Sequence, residues 1–178
     1  MPSLSTSRLQ LRKITNSDLH NIYIGLSHPE VIPYYGVSYD SIEATKSQLQ
    51  WYQQLETDDT GIWWAICSAN DTQFYGAIGF NNWHKEFKKA DIGFWLLPEF
   101  WKQGFASEAL KAVCDYGFNT MQLHRIEAQV ETENIASKKS LLKFGFVYEG
   151  TLRDCEIKNN QWISLDLFSM LNTEINKF

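Results

Sequence analysis

Leu96-Leu97-Pro98-Glu99-Phe100-Trp101-Lys102-Gln103-Gly104-Phe105-Ala106-Ser107-Glu108-Ala109 is the stretch on which the fold turns. Just before it, Asp91 to Leu97 reads as a strand, stopped at Pro98 because proline cannot donate to a sheet ladder. Just after it, Gly104 to Phe118 carries Ala106, Ala109, Leu110, Val113 and Phe118 on one broad apolar face, the mark of a helix. Arg125 to Val130 then alternates polar and apolar, as a half-buried strand does. Strand, helix, strand at this spacing is a βαβ unit, whose two strands lie parallel. At the strand-to-helix junction Gly104 permits a tight turn and close approach of a ligand. The unpaired N–H groups of residues 103–107 point outward at the positive end of the helix dipole, with Lys102 as an added point charge. That arrangement suits a phosphate or pyrophosphate. An ordinary turn with a glycine has the same local pattern.

Working outward, Arg8 to Ile14 alternates as a strand, and Thr15 to Asp18 offers helix caps. Leu19, Ile22, Tyr23 and Leu26 follow at helical spacing. His28 to Tyr39, with two prolines and Gly36, reads as loop, and Ser41 to Leu55 as a second helix. Ile62 to Cys67 and Phe74 to Phe80 are strands joined at Asn70-Asp71. Ile135 to Phe144 is a helix, and Phe146 to Ile157 and Trp162 to Leu171 are closing strands. The expected architecture is mixed α/β (α+β): a twisted, mostly antiparallel sheet of about six or seven strands with about four helices on its faces. One domain spanning 1–178 is expected.

Composition narrows the function classes. The chain has 178 residues, 44% hydrophobic and 21% charged, as ordinary globular domains have. Lys and Arg number 16 against 21 Asp and Glu, for a net charge of −5, which disfavours direct binding of nucleic acid. Cys67, Cys114 and Cys155 are far apart, and neither they nor the four histidines show zinc spacing, so no metal is expected. The opening MPSLSTSRLQLR lacks an apolar signal region, and no apolar run approaches the ~20 residues that span a bilayer. A cytoplasmic protein without membrane contact is the expectation.

A second segment, Glu133-Asn134-Ile135-Ala136-Ser137-Lys138-Lys139-Ser140-Leu141-Leu142-Lys143-Phe144-Gly145-Phe146, follows in order. Asn134 is a natural N-cap and Ser137 falls one turn into the helix. Gly145 stands where a left-handed C-terminal residue belongs. Taken alone, this is a well-capped helix packed on a sheet.

Together the two segments resemble the GNAT family of N-acetyltransferases. Its acetyl-CoA motif, Arg/Gln-x-x-Gly-x-Gly/Ala, is met by Trp101-x-x-Gly104-x-Ala106, and its Asn-x-x-Ser/Ala…Gly-Phe motif by Asn134-x-x-Ser137…Gly145-Phe146. The wording, with Glu149-Gly150-x-x-Arg153 and the opening Ser7-Arg8-Leu9-Gln10-Leu11-Arg12, looks like the RimJ/RimL branch, which includes ribosomal-protein N-terminal acetyltransferases. The likeness covers nearly the whole chain. It implies acetyl-CoA as donor, its pyrophosphate held by Lys102, Gln103, Gly104, Phe105, Ala106 and Ser107. Main-chain groups of Trp95, Leu96 and Leu97 would face its pantetheine arm, with Asn134 on the other side.

The resemblance also supplies candidate catalysts. Many members place a Tyr seven residues after the motif Asn to protonate the leaving thiolate. Leu141 stands there instead. In the ribosomal-protein branch a Ser three residues after the Asn is the proposed acid, which is Ser137, and a Glu six residues beyond the Glu-Gly glycine the proposed base, which is Glu156. Ser137 serves equally well as a capping or cofactor-positioning residue, and Glu156 as a solvated strand residue. Asp91 is the reserve base, and His84 is placed at the surface. Among Trp63, Trp64, Trp83 and Trp95, mostly core residues, one or two would line an acceptor slot. The implied activity is transfer of acetyl to a primary amine, the N-terminal α-amine of a ribosomal protein or peptide, by direct attack in a ternary complex. A polyamine or aminoglycoside acceptor and a non-catalytic acyl-CoA-binding module are the alternatives. The expected assembly is a monomer or homodimer.

Overall fold

The computed structural model describes residues 1–174. The strands are β1 (Leu4–Ser5), β2 (Leu9–Lys13), β3 (Ile62–Ser68), β4 (Phe74–His84), β5 (Lys89–Leu96), β6 (Arg125–Glu131), β7 (Val147–Lys158) and β8 (Gln161–Leu171). The helices are α1 (Leu19–Leu26), α2 (Ile42–Thr57), α3 (Phe105–Asn119) and α4 (Ile135–Phe144). All strands join one sheet in the order β1-β2-β3-β4-β5-β6-β8-β7. Every neighbouring pair is antiparallel except β5 with β6, the parallel pair of the βαβ unit. The sheet has 8 strands rather than six or seven because β1 spans 2 residues, too short to show alternation in sequence.

Side-chain alternation divides the sheet into two faces. Trp64, Ile78, Phe80 and Ile92 turn toward α3, where Tyr116 meets Trp64 edge-on at 5.3 Å and Gly117 lies against the Phe80 ring. Phe80 is fully buried, which stabilises the fold by roughly 1.5–3 kcal/mol. The opposite face carries Trp63 and Trp95 beneath α1 and α2. Gly25 of α1 sits directly over the Trp95 ring, where a Cβ would come within 2.0 Å. Trp63 lies across Gly79 and Gly93, its register neighbours on β4 and β5, where a Cβ would come within 2.4 and 3.0 Å of the indole.

The two parallel strands part early. They pair only at Lys89–Arg125, Ala90–Ile126 and Asp91–Glu127. Beyond these rungs β5 stays with β4 while β6 stays with β8, so a wedge opens between Ile92–Leu96 and Ala128–Glu131. The phosphate-type turn lies past the open end of β5, and α4 follows the open end of β6.

Candidate active site

Helix starts normally need a side chain to satisfy their free N–H groups. Ser41 accepts from the Ala44 N–H at the start of α2, and the Asn134 Oδ1 accepts from the Ser137 N–H at 3.1 Å at the start of α4. The start of α3 has no such cap. Its N-cap is Gly104, in the left-handed region at φ +84°, and Lys102 is left-handed as well at φ +60°. The N–H groups from Lys102 to Ser107 donate to no acceptor among the described residues; the first helical bond is Glu108 N–H to the Gly104 carbonyl. Alternating handedness with converging amides makes an anion-binding nest.

Three side chains brace this nest. The Trp101 indole N–H donates to the Leu96 carbonyl at 2.8 Å, fastening the turn to the end of β5. The Gln103 amide folds back on the Glu99 carbonyl at 2.6 Å, leaving Gln103 to contribute its backbone. Arg8 donates through Nη1 to the Gln103 carbonyl at 3.0 Å, pairs through Nε with Glu108 at 2.7 Å, and lies 4.6 Å from the Phe105 ring centre. Glu108 also accepts from the Thr6 hydroxyl at 2.5 Å and the Arg8 N–H at 3.0 Å. Burial would raise its pKa, but these donors hold it below the usual carboxylate value.

Leading away from the nest, the wedge is walled by β5 on one side and β6 with α4 on the other. Trp95, Leu96 and Leu97 are buried. The Leu97 N–H donates to the Tyr75 carbonyl at 2.9 Å, so it faces β4. By strand alternation the amide of Leu96 faces the wedge, its carbonyl already accepting from the Trp101 indole. On the other side α4 is tied down by Lys138, whose Nζ pairs with Asp166 at 2.5 Å and donates to the Thr132 carbonyl at 3.1 Å. That contact sets Asn134 and Ser137 in place. The Asn134 Nδ2 and the Ser137 hydroxyl make no hydrogen bonds among the described residues.

Where the strands part, a cavity of about 600 Å³ opens on the α1–α2 face. Asp91, Ile92 and Gly93 of β5 and Gln129 and Glu131 of β6 form its floor; Tyr34, Tyr35, Tyr39, Trp51 and Trp63, with Val37, form a mainly aromatic side. Glu156 of β7 lies on the far wall. Burial pushes the Asp91 carboxyl above its ordinary pKa, partly offset by the Asn82 amide at 2.8 Å, while nearby Glu127 adds to the rise.

The structure therefore brings Glu156 and Asp91 to one cavity and places Ser137 and Asn134 on α4, outside its lining. Of the tryptophans, Trp63 lines the cavity, whereas Trp64 and Trp95 pack under helices and Trp83 holds Lys85 against its ring at 4.6 Å. His84 is exposed. Sequence reasoning missed Arg8, whose signal was its place in the Ser7-Arg8-Leu9 opening, and the wall built by the 34–39 loop. The tyrosines at 34, 35 and 39 in that loop were the available sign. Leu141, where many relatives carry Tyr, is buried. Among the described residues no group of three or more His, Cys, Asp or Glu is placed to hold a metal ion, and no helix is long and apolar enough to cross a membrane.

A splayed parallel pair with an uncapped nest at its mouth fits a long thioester carrying a pyrophosphate, and the comparisons agree. Residues 8–147 match the Acetyltransferase (GNAT) domain, and the chain belongs to that family. It is 39% identical over 171 residues to the uncharacterized N-acetyltransferase YoaA of Bacillus subtilis (strain 168), covering 96% of this chain and 97% of that one. It is 29% identical over 101 residues to the ribosomal-protein-serine acetyltransferase of Escherichia coli (strain K12), covering 57% and 56%. Among solved structures, the spermidine N-acetyltransferase of Vibrio cholerae in complex with CoA and spermine superposes with a TM-score of 0.84 at 22% identity, covering 96% and 99%. The chain is an acetyl-CoA-dependent N-acetyltransferase.

Proposed function

We propose that the protein acetylates the N-terminal α-amine of a protein or peptide in the cytoplasm, as a member of the RimJ/RimL-like branch, by direct attack within a ternary complex. The observation that carries this reading is the cavity at the fork of β5 and β6, which holds the open carboxylate of Glu156 and the half-buried one of Asp91 and opens on the face opposite α3. An amine entering there reaches the fork from one face while the nest holds the donor's phosphates beyond the other end of the wedge. No cysteine lines the cavity, which favours direct transfer over an acetyl-cysteine route. The partial likeness to a ribosomal-protein-serine acetyltransferase supports the acceptor class.

Bound acetyl-CoA supplies the thioester that the amine attacks. The chain's own residues then have separable duties. Exposed Glu156 attracts the ammonium to the cavity, and Asp91, with its raised proton affinity, takes the proton that the amine must lose. Thus Glu156, the base expected from sequence, shares the work with the reserve candidate. Ser137, in the first turn of α4 with a free hydroxyl, relays a proton to the departing sulfur.

The test is mass spectrometry after incubation with acetyl-CoA and a panel of basic N-terminal peptides, intact ribosomal proteins, spermidine and an aminoglycoside. Acetylation of a peptide α-amine is expected, and Glu156→Gln should lower kcat/KM more than CoA affinity. Acetylation of only spermidine or the aminoglycoside would overturn the acceptor. Bound donor with no transfer to anything would favour a non-catalytic acyl-CoA-binding module.

A further inference from the structure

The charges around the cavity are not equally available to a ligand. Glu131 faces it, but its carboxylate is paired with the Lys158 Nζ at 2.5 Å. Lys158 also donates to the Pro33 carbonyl, pinning the tyrosine-bearing loop over the cavity. Asp91 is half-buried and already accepts from Asn82. Glu156 alone of the three makes no ion pair or side-chain hydrogen bond among the described residues. No Lys, Arg or His lines the cavity. Glu156 is therefore the one exposed carboxylate of the cavity free to meet an ammonium group directly, with half-buried Asp91 beside the fork.

Beside polar residues such as Gln48, Asn81 and Gln129, one side of the wall is apolar and large. Tyr34, Val37 and Trp51 are 45, 40 and 39% exposed, an unusual cluster of solvated apolar side chains at one mouth. Behind them Trp63 is 4% exposed, and its Nε1–H is buried with no acceptor among the described residues. A buried donor without a partner is costly, and an acceptor oxygen on a ligand near this wall is one way to satisfy it.

We propose that the preferred acceptor is a singly charged primary amine with an aromatic or large aliphatic group close to the nitrogen, as at the start of a peptide whose first residue is apolar. This rests on the acetyl-transfer reading above and narrows its substrate. The ammonium lies at Glu156 and Asp91, the apolar group lies against Tyr34, Val37 and Trp51, and the first peptide carbonyl faces Trp63. Aromatic faces also attract cations, so a polyamine is the competitor that the test must include.

The experiment measures kcat/KM with acetyl-CoA for peptides differing only in their first residue (Phe, Leu, Ala, Ser), for 2-phenylethylamine and for spermidine. Phe- and Leu-initial peptides should exceed Ala- and Ser-initial ones by about tenfold or more, the scale on which an apolar pocket discriminates by size. Trp51→Ala should raise KM for the Phe-initial peptide and flatten that ranking while CoA affinity stays unchanged. Ser- or Ala-initial peptides, or spermidine, equalling the Phe-initial peptide would overturn the proposal. Turnover of 2-phenylethylamine without any peptide would uphold it while overturning the protein α-amine reading.

Discussion

Gly104→Ala separates the role of the nest from that of the rest of the wedge. Gly104 sits at φ +84°, and a Cβ there would come within 3.3 Å of the Arg8 Nη2, the free end of a side chain that can give way. Steric fit is therefore a minor matter, and backbone strain is the main one. An L-residue in this region costs roughly 1–2 kcal/mol. Because the turn is exposed, the free variant escapes most of that strain by moving Gly104 to negative φ, which spoils the convergence of the amides on either side. Binding a pyrophosphate must restore the original shape. The strain then appears in the affinity, where 1–2 kcal/mol corresponds to about a 5- to 30-fold rise in Kd. Titration calorimetry with CoA reads this directly, and acetyl-pantetheine, which lacks the pyrophosphate, serves as the control. Its turnover should be unchanged by the substitution. A variant that binds CoA within about twofold of the parent would show that the amides of residues 102–107 do not form the phosphate site.

Two further substitutions probe other parts of the site. Asp91→Asn should lower kcat by about 10²–10⁴-fold and abolish the rise of kcat with pH that the raised Asp91 pKa imposes, as a pH–rate profile will show. The sign for stability is opposite to that of a paired carboxylate. The folded state holds the Asp91 proton more tightly than the unfolded one, so stability falls as pH rises from the ordinary Asp range through the raised value. Thermal melts of Asp91→Asn above that window should match or exceed the parent. Arg8→Gln removes the charge beside the nest and its bond to the Gln103 carbonyl. It should weaken CoA binding by about tenfold, equivalent to one charge-assisted hydrogen bond, and reduce its salt sensitivity. An unaltered salt dependence would leave Arg8 as a purely structural brace.

Why some of this was legible in sequence and some not follows from the range of the interactions. The nest is local: a proline stops β5, a glycine turns the chain, and the uncapped start of α3 supplies the amides, all within Pro98 to Ser107. The capped start of α4 at Asn134 is equally local. Boundaries moved by a residue or two, as with α2, read as Ser41–Leu55 and observed as Ile42–Thr57. Arg8 was not legible as part of the phosphate turn because its partner Glu108 stands 100 residues away, and only the sheet brings β2 beside α3. The cavity is harder still. Its walls come from the 34–39 loop, α2, the strands β3 to β8 and two empty positions, Gly79 and Gly93, whose missing side chains let Trp63 lie flat.

The same contrast explains why the donor is readable and the acceptor is not. Any acetyl-CoA presents the same pyrophosphate and the same arm, so one backbone geometry serves and a short motif suffices to encode it. The acceptor meets side chains from segments with no shared motif, and their meaning depends on partners that only packing supplies. Glu131 and Glu156 illustrate this. Both are single glutamates on strands facing the same cavity, yet Lys158 neutralises one and leaves the other open. A spermidine acetyltransferase superposes at a TM-score of 0.84, so the frame does not distinguish a polycation from a peptide N-terminus. What distinguishes them is which carboxylates in the cavity are exposed and unpaired: Lys158 neutralises Glu131, Asp91 is half-buried on the Asn82 amide, and Glu156 alone is both exposed and without a partner among the described residues.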